Sequence, residues 1–296
     1  MVTSTPSGPG RAPTPARRGS GRQTQQLVVT VLALYGRDGA AGLTAAELLR
    51  LLSLLDVDGA AVRSALSRLK KREVLVHDQD GSTSRYRLNP ALEQVFREGD
   101  ERIFHPRRSR PGDRWLLAVF SVPEAQRHLR HQIRKILGHH GFGTVGSGLW
   151  IAPAHVFDVV RRDLDRAGLS GFVEFFAADH LANGDLADKV ARWWDLTDLA
   201  AHYRGFVDEF APVRARWQRA DPRTEPVDAF ADYVPALTAW RRLPYLDPGL
   251  PEEYLPTDWP GLTAAQLFLD LHHRLAEPSR DCAEELVRGA PPVRRE

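Results

Sequence analysis

Residues 58–88, DGAAVRSALSRLKKREVLVHDQDGSTSRYRL, read as a basic helix followed directly by a two-stranded ribbon. Val62, Ala65, Leu66 and Leu69 fall on one helical face at 3.6-residue spacing. The opposite face carries Arg63, Ser64, Ser67 and Lys71, with Arg68 and Lys70 on its flanks. Asp58 is placed to cap this helix, its carboxylate accepting from the free backbone N–H groups of the first turn. Val74-Leu75-Val76 and Arg85-Tyr86-Arg87-Leu88 are β-prone runs, and Asp80-Gly81 between them suits a hairpin loop. In the second run Tyr86 and Leu88 share one face of the strand while Arg85 and Arg87 share the other.

Upstream, Leu27, Val28, Val31, Leu32 and Leu34 mark an earlier helix, with Gly36-Arg37-Asp38-Gly39 as its turn. Thr44-Ala45-Ala46-Glu47 forms a capping-box pattern ahead of Leu48, Leu49, Leu51 and Leu52. Helix, capped helix, capped basic helix and hairpin is the order of a winged helix-turn-helix. A helix fits the B-DNA major groove, where short polar or forked cationic side chains reach base edges. Cations on the flanks and on the wing meet phosphates, which fixes register without reading sequence. The expected partner is double-stranded DNA. Arg63, Ser64, Ser67, Arg68 and Lys71 are its expected helix contacts, and Arg85 and Arg87 its wing contacts. The competing reading of the helix is an ordinary amphipathic helix with a solvated cationic face.

The rest of the composition limits the alternatives. Lys and Arg number 40 against 38 Asp and Glu, so any nucleic-acid site must come from local clustering. The single cysteine, Cys282, excludes an intramolecular disulfide and any Cys-based zinc finger. No apolar run approaches bilayer length, and no secretory signal opens the chain, so a cytoplasmic protein without a membrane partner is expected. Residues 1–24 are rich in Pro, Gly, Ser and Thr, with Arg11, Arg17, Arg18 and Arg22 and no acid. They are expected to be a disordered basic tail, although an Arg- and Ser-rich start also fits an organelle transit peptide.

Beyond a basic linker at Pro106-Arg107-Arg108-Ser109-Arg110-Pro111-Gly112 the pattern changes. WLLAVFSV (115–122) has strand length, and a helix to about His139 follows with Leu129, Ile133, Ile136 and Leu137 inward. Strands are expected at 143–146 and 149–152, a helix at about 155–167, and a last strand at 172–177. That order, βαββαβ, is the ferredoxin-like split unit. From Leu186 the chain reads as helical, with breaks near Pro212, Pro222 and Pro244–Gly249. Its aromatics, among them Trp193, Trp194, Tyr203, Phe206, Trp217 and Trp240, are expected to be core. The expected fold class is therefore α+β. It comprises a winged helix-turn-helix at 25–105, a ferredoxin-like domain at 113–180, a C-terminal helical domain at 185–279 and a flexible tail at 280–296.

Signals for catalysis are weak. Gly141-Phe142-Gly143-Thr144-Val145-Gly146 matches GxGxxG, but a dinucleotide loop lies between a strand and a helix. Here the glycines follow a helix and precede a strand, so a glycine-rich turn is the better reading. His128 with His131, and the pairs His139-His140 and His272-His273, lack a third ligand at zinc spacing. There is no GxSxG nucleophile motif, and no catalytic carboxylate pair stands out. No enzyme, no cofactor and no metal are expected. The alternatives kept open are a metal-dependent nuclease, a coenzyme A thioester-processing enzyme with a winged-helix appendage, or a winged helix used only for protein contacts.

Several segments resemble the phenylacetate-degradation repressors, the PaaX-like family. They are Ala61-Val62-Arg63-Ser64-Ala65-Leu66-Ser67-Arg68-Leu69, WLLAVFSVPE (115–124) and GLWIAP (148–153). The most specific are LDPGLP (246–251) and LPTDWPG (255–261). The resemblance runs from about residue 26 to 277. It implies a dimeric repressor of a catabolic operon acting on a palindromic operator and released by phenylacetyl-coenzyme A or a similar thioester. Arg192, Trp193, Trp194, Tyr203, Arg204, Arg241 and Arg242 have the chemistry such an effector needs, without being assigned to it. The middle segment also resembles the small ferredoxin-like nucleases of CRISPR systems. Ser121 stands where those carry an acidic metal ligand, which argues for dimerisation or scaffolding over cleavage.

Overall fold

The structure, a computed structural model, describes residues 21–37, 42–80, 83–181 and 185–289. The chain divides into two compact units, one built on residues up to 90 together with those from 280, the other on residues 91–279. The architecture is mixed helix and antiparallel sheet, as the α+β expectation requires.

The first unit begins with α1 (Gly21–Tyr35), β1 (Leu43–Thr44), α2 (Ala45–Ser53) and α3 (Gly59–Lys71). β2 (Leu75–Asp80) and β3 (Thr83–Leu88) follow and pair antiparallel, and β1 adds to β3 in a sheet of order β1-β3-β2. α1 starts at Gly21, inside the stretch expected to be a tail, and buries Thr24. Residues 1–20, part of the turn at 36–39 and the hairpin tip at 81–82 lie outside the described residues. Val62, Ala65, Leu66 and Leu69 of α3 are all buried, the face that the spacing marks. Removing each leucine from water contributes about 1.5–3 kcal/mol. The register pairs Leu75 with Leu88, both buried, and His77 with Tyr86.

Helix ends set the path of this unit. After α3, Glu73 N–H donates to the Lys70 carbonyl (2.9 Å) and Val74 N–H to the Leu69 carbonyl (3.0 Å). Glu73 itself lies at φ 56, so a Schellman motif turns the chain into β2. The end of α2 repeats the device with Asp56, also at φ 56.

The second unit opens with α4 (Glu93–Phe104). It then runs β4 (Trp115–Phe120), α5 (Arg127–His139), β5 (Gly143–Gly146), β6 (Leu149–Pro153), α6 (Phe157–Arg166) and β7 (Val173–Ala178). The strands form one antiparallel sheet in the order β5-β6-β4-β7. Leu116 and Ala118 of β4 pack with Ile133 and Leu137 of α5 and Val160 and Leu164 of α6. The GxGxxG glycines follow α5 and run into β5. Gly141, at φ 76, is the left-handed residue of a Schellman motif ending α5. At Gly143 a Cβ would lie 2.6 Å from the Trp194 ring, so that position admits no side chain without displacement.

The remaining helices are α7 (Leu186–Trp193), α8 (Leu196–Trp217), α9 (Pro226–Trp240), α10 (Leu243–Leu246) and α11 (Pro260–Val287). The expected break at Pro212 does not occur, and α8 runs through it. Pro212 and Asp208, whose carbonyl loses its intrahelical donor, are both exposed, so the missing hydrogen bond falls on the solvent-facing side of the helix. Phe206, Phe210 and Trp217 anchor the helix on either side. α11 continues to Val287, beyond the start of the expected flexible tail, and Cys282, Ala283 and Leu286 are buried. Trp194, Tyr203, Phe230, Tyr233 and Trp240 are core residues, as expected.

Candidate nucleic-acid interface

α3 owes its start to Asp58, whose Oδ2 accepts from Ala60 N–H (2.9 Å) and Ala61 N–H (3.1 Å). α2 beside it starts at a complete capping box. Glu47 N–H donates to Thr44 Oγ1 (3.2 Å), and Thr44 N–H donates to Glu47 Oε2 (2.7 Å). With its apolar face held by α1 and α2, α3 turns Arg63, Ser64, Ser67, Arg68, Lys70 and Lys71 to solvent. The helix contains no acidic residue. Among the described residues Arg63, Lys70 and Lys71 form no ion pair, so their cationic heads are available to phosphate or base acceptors. The Arg68 guanidinium leans toward the start of α1, with Nη1 2.8 Å from where a Cβ on Gly21 would lie. Arg72, the residue after the helix, is also exposed and was not among the sequence candidates.

The wing arginines are placed differently from an open ribbon. Arg85 Nη1 donates to the Gly42 carbonyl (3.0 Å) and lies 3.5 Å from Glu47 Oε2. It therefore ties β3 to the capping box of α2. Arg87 pairs with Asp78 across the ribbon. Both are half-buried and already face a carboxylate, so they offer less free positive charge than α3 does. Nothing in the sequence pattern announces the Glu47–Arg85 contact, which joins residues far apart in the chain.

The second unit gathers some of the effector candidates. Arg192, Trp194 and Arg204 line one cleft of about 480 Å³, together with Thr197, Ala200 and Pro256. Tyr203 is buried and donates its phenol O–H to Asp247 Oδ2 (2.8 Å). Burial, then the nearby Asp247 charge, pushes that phenol far above its ordinary pKa. Ser121 follows β4 and is exposed, its N–H bonded to the Phe172 carbonyl. Among the described residues no three His, Cys, Asp or Glu side chains come together as a metal site.

Three family profiles match consecutive parts of the chain. They are described as the PaaX-like protein at residues 23–92, the PaaX protein central Cas2-like domain at 108–190 and the PaaX-like protein C-terminal domain at 194–285. The chain belongs to the PaaX-like family. It is 29% identical over 218 residues to the Transcriptional repressor PaaX of Escherichia coli, covering 73% of this chain and 68% of that one. Its fold is similar to that of the uncharacterized protein Rv0674 from Mycobacterium tuberculosis, with TM-score 0.59 and 25% identity. That match covers 88% of this chain and 98% of the other.

The strings that carry the PaaX-like resemblance have structural work within the second unit. Asp247 accepts from Arg108 Nη2 (3.0 Å) as well as from Tyr203, and Arg108 Nη1 donates to the Leu250 carbonyl (2.7 Å). Gly249 sits at φ 67, and a Cβ there would meet the Arg107 carbonyl at 2.5 Å. LDPGLP thus clamps the linker ahead of β4. Trp259 packs edge-on against Tyr203, and Gly261 leaves room for its indole.

Proposed function

We propose that this protein is a transcriptional repressor, not an enzyme, that binds operator DNA through the outer face of α3. In this reading residues 25–105 act as a winged helix-turn-helix, 113–180 as a ferredoxin-like domain and 185–279 as a helical domain. The observation that carries it is the exposed, acid-free cationic face of α3 between two capped helix starts and a β-ribbon. Membership of the PaaX-like family, with a relative named a transcriptional repressor, supports the same reading. Arg63, Ser64 and Ser67 would read base edges, while Arg68 and Lys71 would hold phosphates. Arg85 and Arg87 support the wing chiefly by shaping it. A homodimer would set two recognition helices in successive major grooves of a palindromic operator. An acyl-coenzyme A thioester of the phenylacetyl type is the proposed effector that releases the DNA, with the Arg192–Trp194–Arg204 cleft as the first place to look for it. No helix among the described residues is long and apolar enough to cross a membrane.

A gel-shift titration on the chain's own upstream region, with and without phenylacetyl-coenzyme A, tests this. Specific binding abolished by the thioester is the expected result. Binding that ignores the thioester would remove the effector and keep the regulator. Absence of specific binding at moderate salt would sink the repressor reading.

A further inference from the structure

α5 and α6 cover the same face of the four-stranded sheet, yet they arrange charge in opposite ways. On α6, Arg166 pairs with Asp163 (2.8 Å) and Arg161 with Asp165 (3.9 Å), while Arg162 reaches Glu98 of α4 (2.9 Å). Its cations are answered by acids nearby. α5, RHLRHQIRKILGH, contains no acid at all. Ile133 and Leu137 turn to the core, which leaves Arg127, His128, His131, Arg134 and Lys135 exposed. Arg130 is held by Glu124 (3.1 Å) and the Val122 carbonyl (2.7 Å). Among the described residues Arg127, Arg134 and Lys135 form no ion pair.

In a chain with 40 basic and 38 acidic residues, such a helix is a local departure rather than a consequence of composition. It also has a cost, because like charges three or four residues apart repel along a helix. A partner of dense negative charge would relieve that repulsion, and a DNA duplex carries one phosphate charge about every 1.7 Å of its axis. α5 is 13 residues long, about 20 Å, so its cations can meet several phosphates at once. We propose that the outer face of α5 is a second contact for the phosphate backbone of double-stranded DNA, carried by Arg127, Arg134 and Lys135. This rests on the DNA-binding reading but involves no residue of α3.

The test compares Arg127→Gln/Arg134→Gln/Lys135→Gln with Arg161→Gln/Arg162→Gln/Arg166→Gln, an α6 control that removes the same net charge. Each full-length variant is titrated with operator and scrambled duplexes over a range of salt, after melting and circular dichroism confirm the native fold. The α5 variant should lose about tenfold in affinity on both duplexes, and its salt slope should fall by roughly two to three. The α6 control should keep the wild-type slope to within about one. A folded α5 variant with the wild-type slope, or equal losses in both variants, would overturn the proposal. So would unchanged DNA binding alongside lost binding to polyglutamate, which would assign the face to an acidic protein. A parallel Arg68→Gln/Lys71→Gln variant separates the two claims. If it alone loses DNA, the α3 reading stands and the α5 contact falls; if the α5 variant alone does, the reverse holds.

Discussion

Arg63 and Lys71 share a helix face but should fail differently when removed. Arg63 has a forked donor set suited to base edges, and Ser67 lies one turn on, so Arg63→Ala or Ser67→Ala should change which operator sequence is preferred. Lys71→Ala should weaken binding to all sequences and reduce the salt slope by about one. Fluorescence anisotropy on operator and scrambled duplexes reads both effects, and unchanged preference in the Arg63 and Ser67 variants would remove them from base contact. Arg85 belongs to a different class. With its guanidinium on the Gly42 carbonyl and beside Glu47, Arg85→Ala should cost about 1 kcal/mol of stability. A urea melt of the variant checks this, and an unshifted midpoint would show that the contact is not structural.

At the scale of elements, left-handed helix ends decide where the next helix or strand begins. Two of these ends use glycine, at Gly141 and Gly168, and two use acidic residues, at Asp56 and Glu73. A side chain held in the left-handed region costs about 1 kcal/mol relative to glycine. Glu73→Gly should therefore stabilise the first unit by about that amount, seen as a higher denaturant midpoint. The sign reverses at Gly143, where the Trp194 ring occupies the space of a side chain. Gly143→Ala should cost about 1–3 kcal/mol, and a neutral result would mean that Trp194 moves aside freely. The first two glycines of the GxGxxG match are accounted for by one helix stop and one close approach, neither of which needs a nucleotide.

Across the whole molecule, buried histidines of the second unit are the groups expected to link its stability to pH. Burial is the first cause lowering the pKa of His140 and His272 below the ordinary 6.5. For His140 the hydrogen bond to Asp163 (2.8 Å) opposes that shift without reversing it, and among the described residues its Nδ1 has no hydrogen-bond partner. A depressed histidine pKa means that the unfolded chain binds more protons than the folded one just below pH 6.5. The associated stability is complete above that pH and is lost as the pH falls through it. The melting temperature should thus drop between pH 7.5 and 5.5, and by less in a folded His140→Gln variant. Equal drops in both proteins would take His140 out of the account.

What the sequence determined by itself was local. Helical spacing marked the buried face of α3, the residue types at Asp58 and Thr44 marked its caps and those of α2, and short β-prone runs marked every strand except β1. These follow from short-range rules of backbone hydrogen bonding and periodicity, which need only neighbours along the chain. The tertiary structure decided what long-range contacts control. It carried α8 through Pro212, because buried aromatics on both sides outweigh one missing hydrogen bond. It drew α1 back to Gly21 and α11 on to Val287, because Thr24 and Cys282 find cover that no local pattern shows. It also set Arg85 beside Glu47 and, among the described residues, left Arg63 and Lys71 without an ion pair. That difference depends on which carboxylate lies within a few ångströms, and folding, not spacing in the chain, fixes that distance.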